Sequence, residues 1–248
     1  MDFYKLARIG AKAHWEKQNN PLKEYIKNTS LKFLMEKARI VGFIMGDGYI
    51  SKLGKPTSLQ HHDICFYPDD KNMLDIFLSD FEKVYLKKPF KKELKNHFLA
   101  RVSCKPACDD LRTFGDYDSL NWELPKKFSS KEQKREWIRA LFDCESYVGK
   151  NTINFQSVSK KGIESMKDTL QEFGISCNLY QYDRKHKGWN LNHILVISKK
   201  ENLLKYEDLI GFNHTKKKQK LHEICQRARM VIGTVSKTVP SRASRFNS

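Results

Sequence analysis

The feature that most restricts how this chain can fold is an internal repeat. The order helix, strand pair, helix, strand pair, helix is read twice along its 248 residues, and a repeat of that kind fixes an architecture before any single element is assigned. The first copy opens on LKFLMEKARIVGFIM, which ends at the turn signal Gly46-Asp47-Gly48. Short strand-like runs follow. Next comes DDKNMLDIFLSDFEKVY, with apolar residues at helical spacing and Asp69 or Asp70 as its N-cap, then strands around Phe90–Leu94 and Phe98–Cys104. The second copy runs through EQKREWIRALFDCE, TINFQSV, SKKGIESMKDTLQEFGI, SCNLYQY and NHILVIS. An α+β chain of two similar halves, 31–121 and 135–225, is therefore expected. Residues 122–134 read as a linker, 1–30 as a charged, partly helical extension broken at Asn19-Asn20-Pro21, and 226–248 as a basic, mobile tail.

Laying the two opening helices over each other puts Asp47 on Glu145, 98 positions apart. Gly42 then falls on Ala140 and Gly46 on Cys144, so each helix carries two small residues four apart, on one face. Such faces let two helix backbones approach closely. Ile40, Phe43 and Ile44, with Ile138, Leu141 and Phe142, point elsewhere, toward each half's own core. Helices packed through their small faces bring their C-terminal ends together, and with them Asp47 and Glu145. Two facing carboxylates tolerate ionisation only with divalent cations between them. Oxygen ligands suit Mg²⁺, and paired metal sites are a common device for phosphodiester hydrolysis.

The charge balance points the same way. Lys and Arg number 46 against 29 Asp and Glu, a net +17, and an excess that large answers to a polyanion. No apolar run approaches the ~20 residues a bilayer span needs. The six cysteines are scattered, with no CxxC pair, and read as reduced thiols. With no signal peptide at the start, an intracellular protein (cytoplasm, nucleoid or organelle matrix) is expected, acting as a monomer without an obligate protein partner and away from membranes.

The stretches ARIVGFIMGDGY (38–49) and EWIRALFDCESY (136–147) resemble the two motifs of LAGLIDADG homing endonucleases, in the monomeric two-motif branch. The resemblance covers about residues 31–225, and includes LIGFNHTKKKQKL (209–221), similar to the family's closing Gly-Phe and Lys-rich helix. It implies two pseudo-symmetric αββαββα halves whose four-stranded antiparallel sheets form a saddle for double-stranded DNA. It also implies Mg²⁺-dependent cleavage of both strands with short 3′ overhangs, Mn²⁺ being able to substitute, at a long asymmetric target in intron homing. Asp47 and Glu145 become the catalytic metal-binding acids, with Gly46 and Cys144 beside them in the metal site. Where many members carry a Gln-Lys pair before the helix of each half, this chain has Pro68-Asp69 and Ser157-Val158, and Ser146 stands where Gly is usual.

Lys105, and Lys199 or Lys200, each at the end of a half's last strand, are the candidates for a basic catalytic residue. The runs YLKKPFKKELKNHF (85–98) and NLYQYDRKHKGWN (178–190) occupy one place in the repeat and suit a DNA-facing β-ribbon. Lys87, Lys88, Lys91, Lys92 and Lys95, with Arg184, Lys185 and Lys187, are expected on DNA, mostly on phosphates. Asn154, Gln156, Gln181 and Asn190 suit base edges. The alternative is a non-cleaving DNA- or RNA-binding protein of the same fold, a maturase or regulator. Starting at Met1 without the Cys or Ser nucleophile that self-splicing needs, the chain reads as a free-standing intron product rather than a domain of a splicing protein.

Overall fold

A computed structural model describes residues 20–51, 62–183, 188 and 190–235. Helix α1 (20–28) starts at Asn20-Pro21, where a proline in the first turn removes no intrahelical hydrogen bond. The first half continues with α2 (Leu34–Asp47), β1 (Gly48–Ile50), β2 (Asp63–Phe66), α3 (Lys71–Tyr85), β3 (Phe90–Glu93), β4 (Phe98–Ser103) and α4 (Lys105–Arg112). The second repeats the order as α5 (Lys131–Glu145), β5 (Ser146–Val148), β6 (Ile153–Ser157), α6 (Lys160–Glu172), β7 (Asn178–Tyr182), β8 (Asn192–Ile197) and α7 (Lys200–Leu209), and α8 (Thr215–Val235) follows. The sheet orders are β1-β2-β4-β3 and β5-β6-β8-β7, all pairs antiparallel. The α+β fold of two matched halves is thus the observed one.

Helix ends follow local chemistry. Asp70 is the N-cap of α3, its carboxylate accepting from the backbone N–H of Asn72 and Met73 at 3.0 and 3.3 Å. Ser130 opens α5 through a capping box: Ser130 Oγ accepts from Gln133 N–H (3.2 Å) and Gln133 Oε1 from Ser130 N–H (3.3 Å). The segment expected to be a tail does not stop at residue 226. Helix α8 runs on to Val235, because Leu221, Ile224, Cys225 and Ala228 bury an apolar stripe at helical spacing. Trp122, at the head of the expected linker, packs on the second half: its Nε1 donates to Ser157 Oγ (3.1 Å), and Ser159 Oγ donates to its carbonyl (3.0 Å).

Each half has its own aromatic core between helices and sheet. Phe43, Phe66, Phe77, Phe81 and Tyr85 form a chain of ring contacts at 4.8–5.7 Å in the first. In the second, Phe142 meets Phe155 (4.9 Å) and Tyr206 (5.3 Å). The halves join where α2 lies along α5. A Cβ placed on Gly42 would sit 2.7 Å from the Trp137 carbonyl oxygen and 2.8 Å from Ala140 Cβ, and one on Gly46 would strike Cys144. The small faces read from the sequence are the contact. At the far end of this seam Arg39 bridges the halves, bonding Asp80 in a fork (2.6 and 2.8 Å) and Glu136 (3.0 Å). Among the described residues no helix is long and apolar enough to cross a membrane.

Candidate active site

The same close approach that joins the halves sets the acids side by side. Asp47 ends α2 and Glu145 ends α5, one residue beyond the Gly46–Cys144 contact. Each chain then passes directly into an extended residue, Gly48 or Ser146, and a strand. Gly48 must be glycine, since a Cβ there would lie 2.6 Å from the Cys65 carbonyl oxygen. Its counterpart Ser146 fits because its hydroxyl folds back and donates to the Phe142 carbonyl (2.6 Å).

Burial pushes the carboxyl of Glu145 up to about 7, and the negative charge of Asp47 pushes in the same direction. Asp47 is also raised by burial, a shift opposed by a hydrogen bond from Cys144 and by the charge of Lys217. Cys144 does not offer sulfur as a ligand. Burial holds its thiol neutral, well above the ordinary range, and its Sγ lies 3.9 Å from the Phe43 carbonyl oxygen. Its own carbonyl accepts from Lys217 Nζ (3.1 Å). Gly46 has only backbone to offer. The site thus presents two carboxylates, and among the described residues no group of three or more His, Cys, Asp or Glu is arranged around a metal. Two carboxylates with the balance of ligands from phosphate and water is a donor set that fits Mg²⁺.

A third acid shares this end of α5. Asp143 is fully buried, accepts from the backbone N–H of Asn213 and His214 (2.9 Å each), and is pushed by desolvation up to about 7. The segment supplying those N–H groups, between α7 and α8, straps both halves. Thr215 N–H donates to Asp70 (3.1 Å), Asn72 Nδ2 to the Asn213 carbonyl (2.8 Å), and the His214 ring lies 3.3 Å from Asp69 and 3.6 Å from Asp70. The hydrogen bond from His214 holds the carboxyl of Asp69 below the ordinary value.

The basic residue at the acids is not one of those expected. Lys105 is the first residue of α4 and pairs with Asp109 at 2.7 Å, Lys199 is the N-cap of α7 and Lys200 its first residue. Each of these lysines caps or opens the helix that follows its half's last strand. The charge of Lys217, by contrast, lowers the carboxyls of both Asp47 and Glu145. Lys217 lies in Lys216-Lys217-Lys218, within the Lys-rich segment 209–221 that the resemblance included without singling out one lysine.

Strand register sorts the DNA-facing candidates, since directly opposed residues share a sheet face. In the second sheet, Tyr147–Asn154–Val196–Asn178 and Gln156–Ile194–Tyr180 form rows on the face away from the helices, with Tyr182 and Asn192 paired beyond them. Asn192 Nδ2 donates to Gln156 Oε1 (3.0 Å). Gln181 is turned the other way: it pairs with His193, which pairs with Ser157, on the helix side. In the first sheet, Tyr49–Cys65–Arg101–Phe90 is an outer row and Lys92 lies on that face opposite Leu99, while Lys91 pairs with buried Ala100 on the helix side. Arg101, missed in the sequence, pairs there with Asp63 (2.8 Å). Lys87 and Lys88 precede β3, Lys95 lies in the β3–β4 turn, and Asn190 is exposed before β8. Arg184, Lys185 and Lys187 lie outside the described residues.

The raised carboxyls imply a pH dependence. Folded Glu145 and Asp143 hold protons to about pH 7, whereas their ordinary values are 4.5 and 3.8. Between those limits the folded state binds more protons than the unfolded chain, so metal-free stability falls as pH rises. Thermal melting in EDTA should drop from about pH 5.5 to about pH 7.5, and Glu145→Gln should flatten the slope. A stability that climbs through this window would contradict the buried geometry.

Residues 132–211 match the LAGLIDADG-like domain family. A replication factor C small subunit of Methanocaldococcus jannaschii is 27% identical over 221 residues, 85% of this chain but 12% of that protein. A glutamine–fructose-6-phosphate aminotransferase (isomerizing) of the same organism is 25% identical over 206 residues, 76% of this chain and 17% of that one. The chain therefore spans less than a fifth of either relative. Among solved structures, the homing endonuclease I-DmoI in complex with DNA and Mn matches at a TM-score of 0.58 and 16% identity, covering 72% of this chain and 97% of that one. Full-length DUF199/WhiA from Thermotoga maritima matches at 0.50 and 15% identity, covering 91% and 68%. Residues 132–211 are thus similar to the LAGLIDADG-like domain, and the chain shares the fold of the homing endonuclease I-DmoI.

Proposed function

We propose that this chain is a site-specific DNA endonuclease that makes double-strand breaks by phosphodiester hydrolysis with a divalent cation, Mg²⁺ or Mn²⁺. The observation that carries the reading is the convergence of Asp47 and Glu145 at two helix ends locked by their small faces. In this reading Asp47 and Glu145 would hold the cation, which when bound would supply activation of water and charge neutralisation at the departing 3′ oxygen. The rest falls to the chain's own residues: outer sheet faces rich in Tyr, Asn, Gln and Arg read base edges, and flanking lysines hold phosphates. Gly46 serves in packing, as does Cys144. The protein acts as a monomer, since both acids lie in one chain.

Homing fits the relatives. Two proteins with unrelated names share most of this chain as a small fraction of their length, as a unit that moves between hosts would. A non-cleaving binder is the second reading, favoured by Pro68-Asp69 and Ser157-Val158 standing where many members of the family carry a Gln-Lys pair. Both acids in place favour the enzyme. Selection of cut sites from a randomised DNA library with Mg²⁺ decides: an asymmetric site supports the endonuclease, and no cutting at any sequence supports the binder.

Once a site is known, Gln156→Ala should relax one or two base pairs, worth ~1–3 kcal/mol of discrimination, while Gln181→Ala changes little. Replacing Lys87, Lys88 and Lys92 by Ala should flatten the salt dependence by roughly one phosphate contact each. Cleavage of every single-base variant of the site measures both. Equal effects of Gln156 and Gln181 would contradict the assignment of faces.

A further inference from the structure

Lys217 is not an ordinary surface lysine. It sits in the first turn of α8, half-buried, and its ammonium donates to the carbonyls of Phe142 (3.4 Å), Asp143 and Cys144 (3.1 Å). The Asp143 and Cys144 carbonyls are last-turn groups that a helix leaves without intrahelical partners, at the negative end of the α5 dipole, while the Phe142 carbonyl also accepts from Ser146. Three donors meet three acceptors. The residue cannot swing away, because the strap before it is fixed to Asp143 in one half and to Asp70 and Asn72 in the other. Its charge is within electrostatic reach of the carboxyls of Asp143, Asp69, Asp47 and Glu145.

We propose that Lys217 is a built-in counter-cation of the acid pair: a positioning residue that closes the end of α5 and balances Asp47 and Glu145 while no divalent cation is bound. This rests on the reading of those acids as cation ligands. Facing buried carboxylates, once both are ionised, would otherwise drive the two helix ends apart in the metal-free protein, and a fixed ammonium offsets that repulsion. The arrangement makes the ammonium and the metal alternative partners of one charge. Losing the lysine should therefore harm the metal-free protein most, and a divalent cation should repair the harm.

The test uses the full chain and Ca²⁺ as the probe, with thermal melting and titration calorimetry as readouts. In EDTA, Lys217→Met and Lys217→Gln should melt several degrees below wild type, while Lys217→Arg stays close to it. Saturating Ca²⁺ should close more than half of the gap, and both neutral variants should bind Ca²⁺ several-fold more tightly than wild type. In an Asp47→Asn/Glu145→Gln background, Lys217→Gln in EDTA should cost less than half of what it costs in wild type. An equal loss in every background and solution would make Lys217 a plain helix cap and overturn the proposal, as would no loss in EDTA. Should Ca²⁺ leave wild type unchanged, the cation reading of the acids fails, and the EDTA comparison between backgrounds still decides the counter-charge.

Discussion

Replacing Asp47 by Asn, or Glu145 by Gln, is expected to abolish double-strand cleavage while leaving affinity for the target within a few-fold of wild type. Both changes keep side-chain shape and remove charge, so the helix seam is untouched. They act on a site whose purpose is to gather negative charge: Glu145 is pushed to about 7 by burial and by Asp47. Binding energy comes from elsewhere, from lysines and outer sheet faces meeting phosphates and bases. Loss of cleavage should exceed ~10³-fold, about 4 kcal/mol of transition-state stabilisation. With Ca²⁺ in place of Mg²⁺ the wild type should behave like the mutants, binding without cutting, since Ca²⁺ takes looser coordination. The two assays are gel-shift titration and supercoiled-plasmid cleavage. Retention of full cleavage by either variant would remove that acid from the mechanism. Loss of binding in step with cleavage would mean the acids hold the fold or the DNA rather than the chemistry.

What could be read ahead of the structure was whatever repeats. Gly42, Gly46, Ala140 and Cys144 stood out because their helical spacing occurs twice, and a pattern in register with itself carries information that a single glycine does not. The acids followed from the same overlay. What escaped depends on contacts between distant positions, or on a single residue of register. Gln181 and Lys91 sit in correctly placed strands but face the helices, because a shift of one residue exchanges the two faces of a sheet. Lys217 is 72 residues beyond Glu145, and nothing in a run of three lysines marks the one whose ammonium is buried on helix carbonyls. Asp143 stands two residues before Glu145 with nothing in the sequence to set it apart. Only the fold brings Asn213 and His214 against it.

The helix seam itself gives the other large effect. A side chain at Gly42 has nowhere to go: its first carbon would lie 2.7 Å from the Trp137 carbonyl oxygen and 2.8 Å from Ala140 Cβ, and neither can rotate aside. Gly42→Ala should already force α2 and α5 apart, and Gly42→Leu more so. Overpacking in a tight interior costs ~1–3 kcal/mol, and contact with backbone puts Leu at the upper end. For a chain of this size that is a fall of roughly 5–10 °C in melting temperature. Activity should suffer beyond stability, because the displaced groups are the ones whose spacing matters. A misplacement of ~1 Å at a catalytic centre can cost ~10²-fold in rate. Ala100→Val separates the two effects, since Ala100 is equally buried but lies in the first half's sheet, away from the seam. It should lower the melting temperature and, at a temperature where the protein is still folded, leave cleavage near wild type. Gly42→Leu under the same conditions should be folded, able to bind DNA and nearly inactive. If it melts and cuts like wild type, α2 and α5 do not meet through their small faces, and the two acids have no reason to stand together.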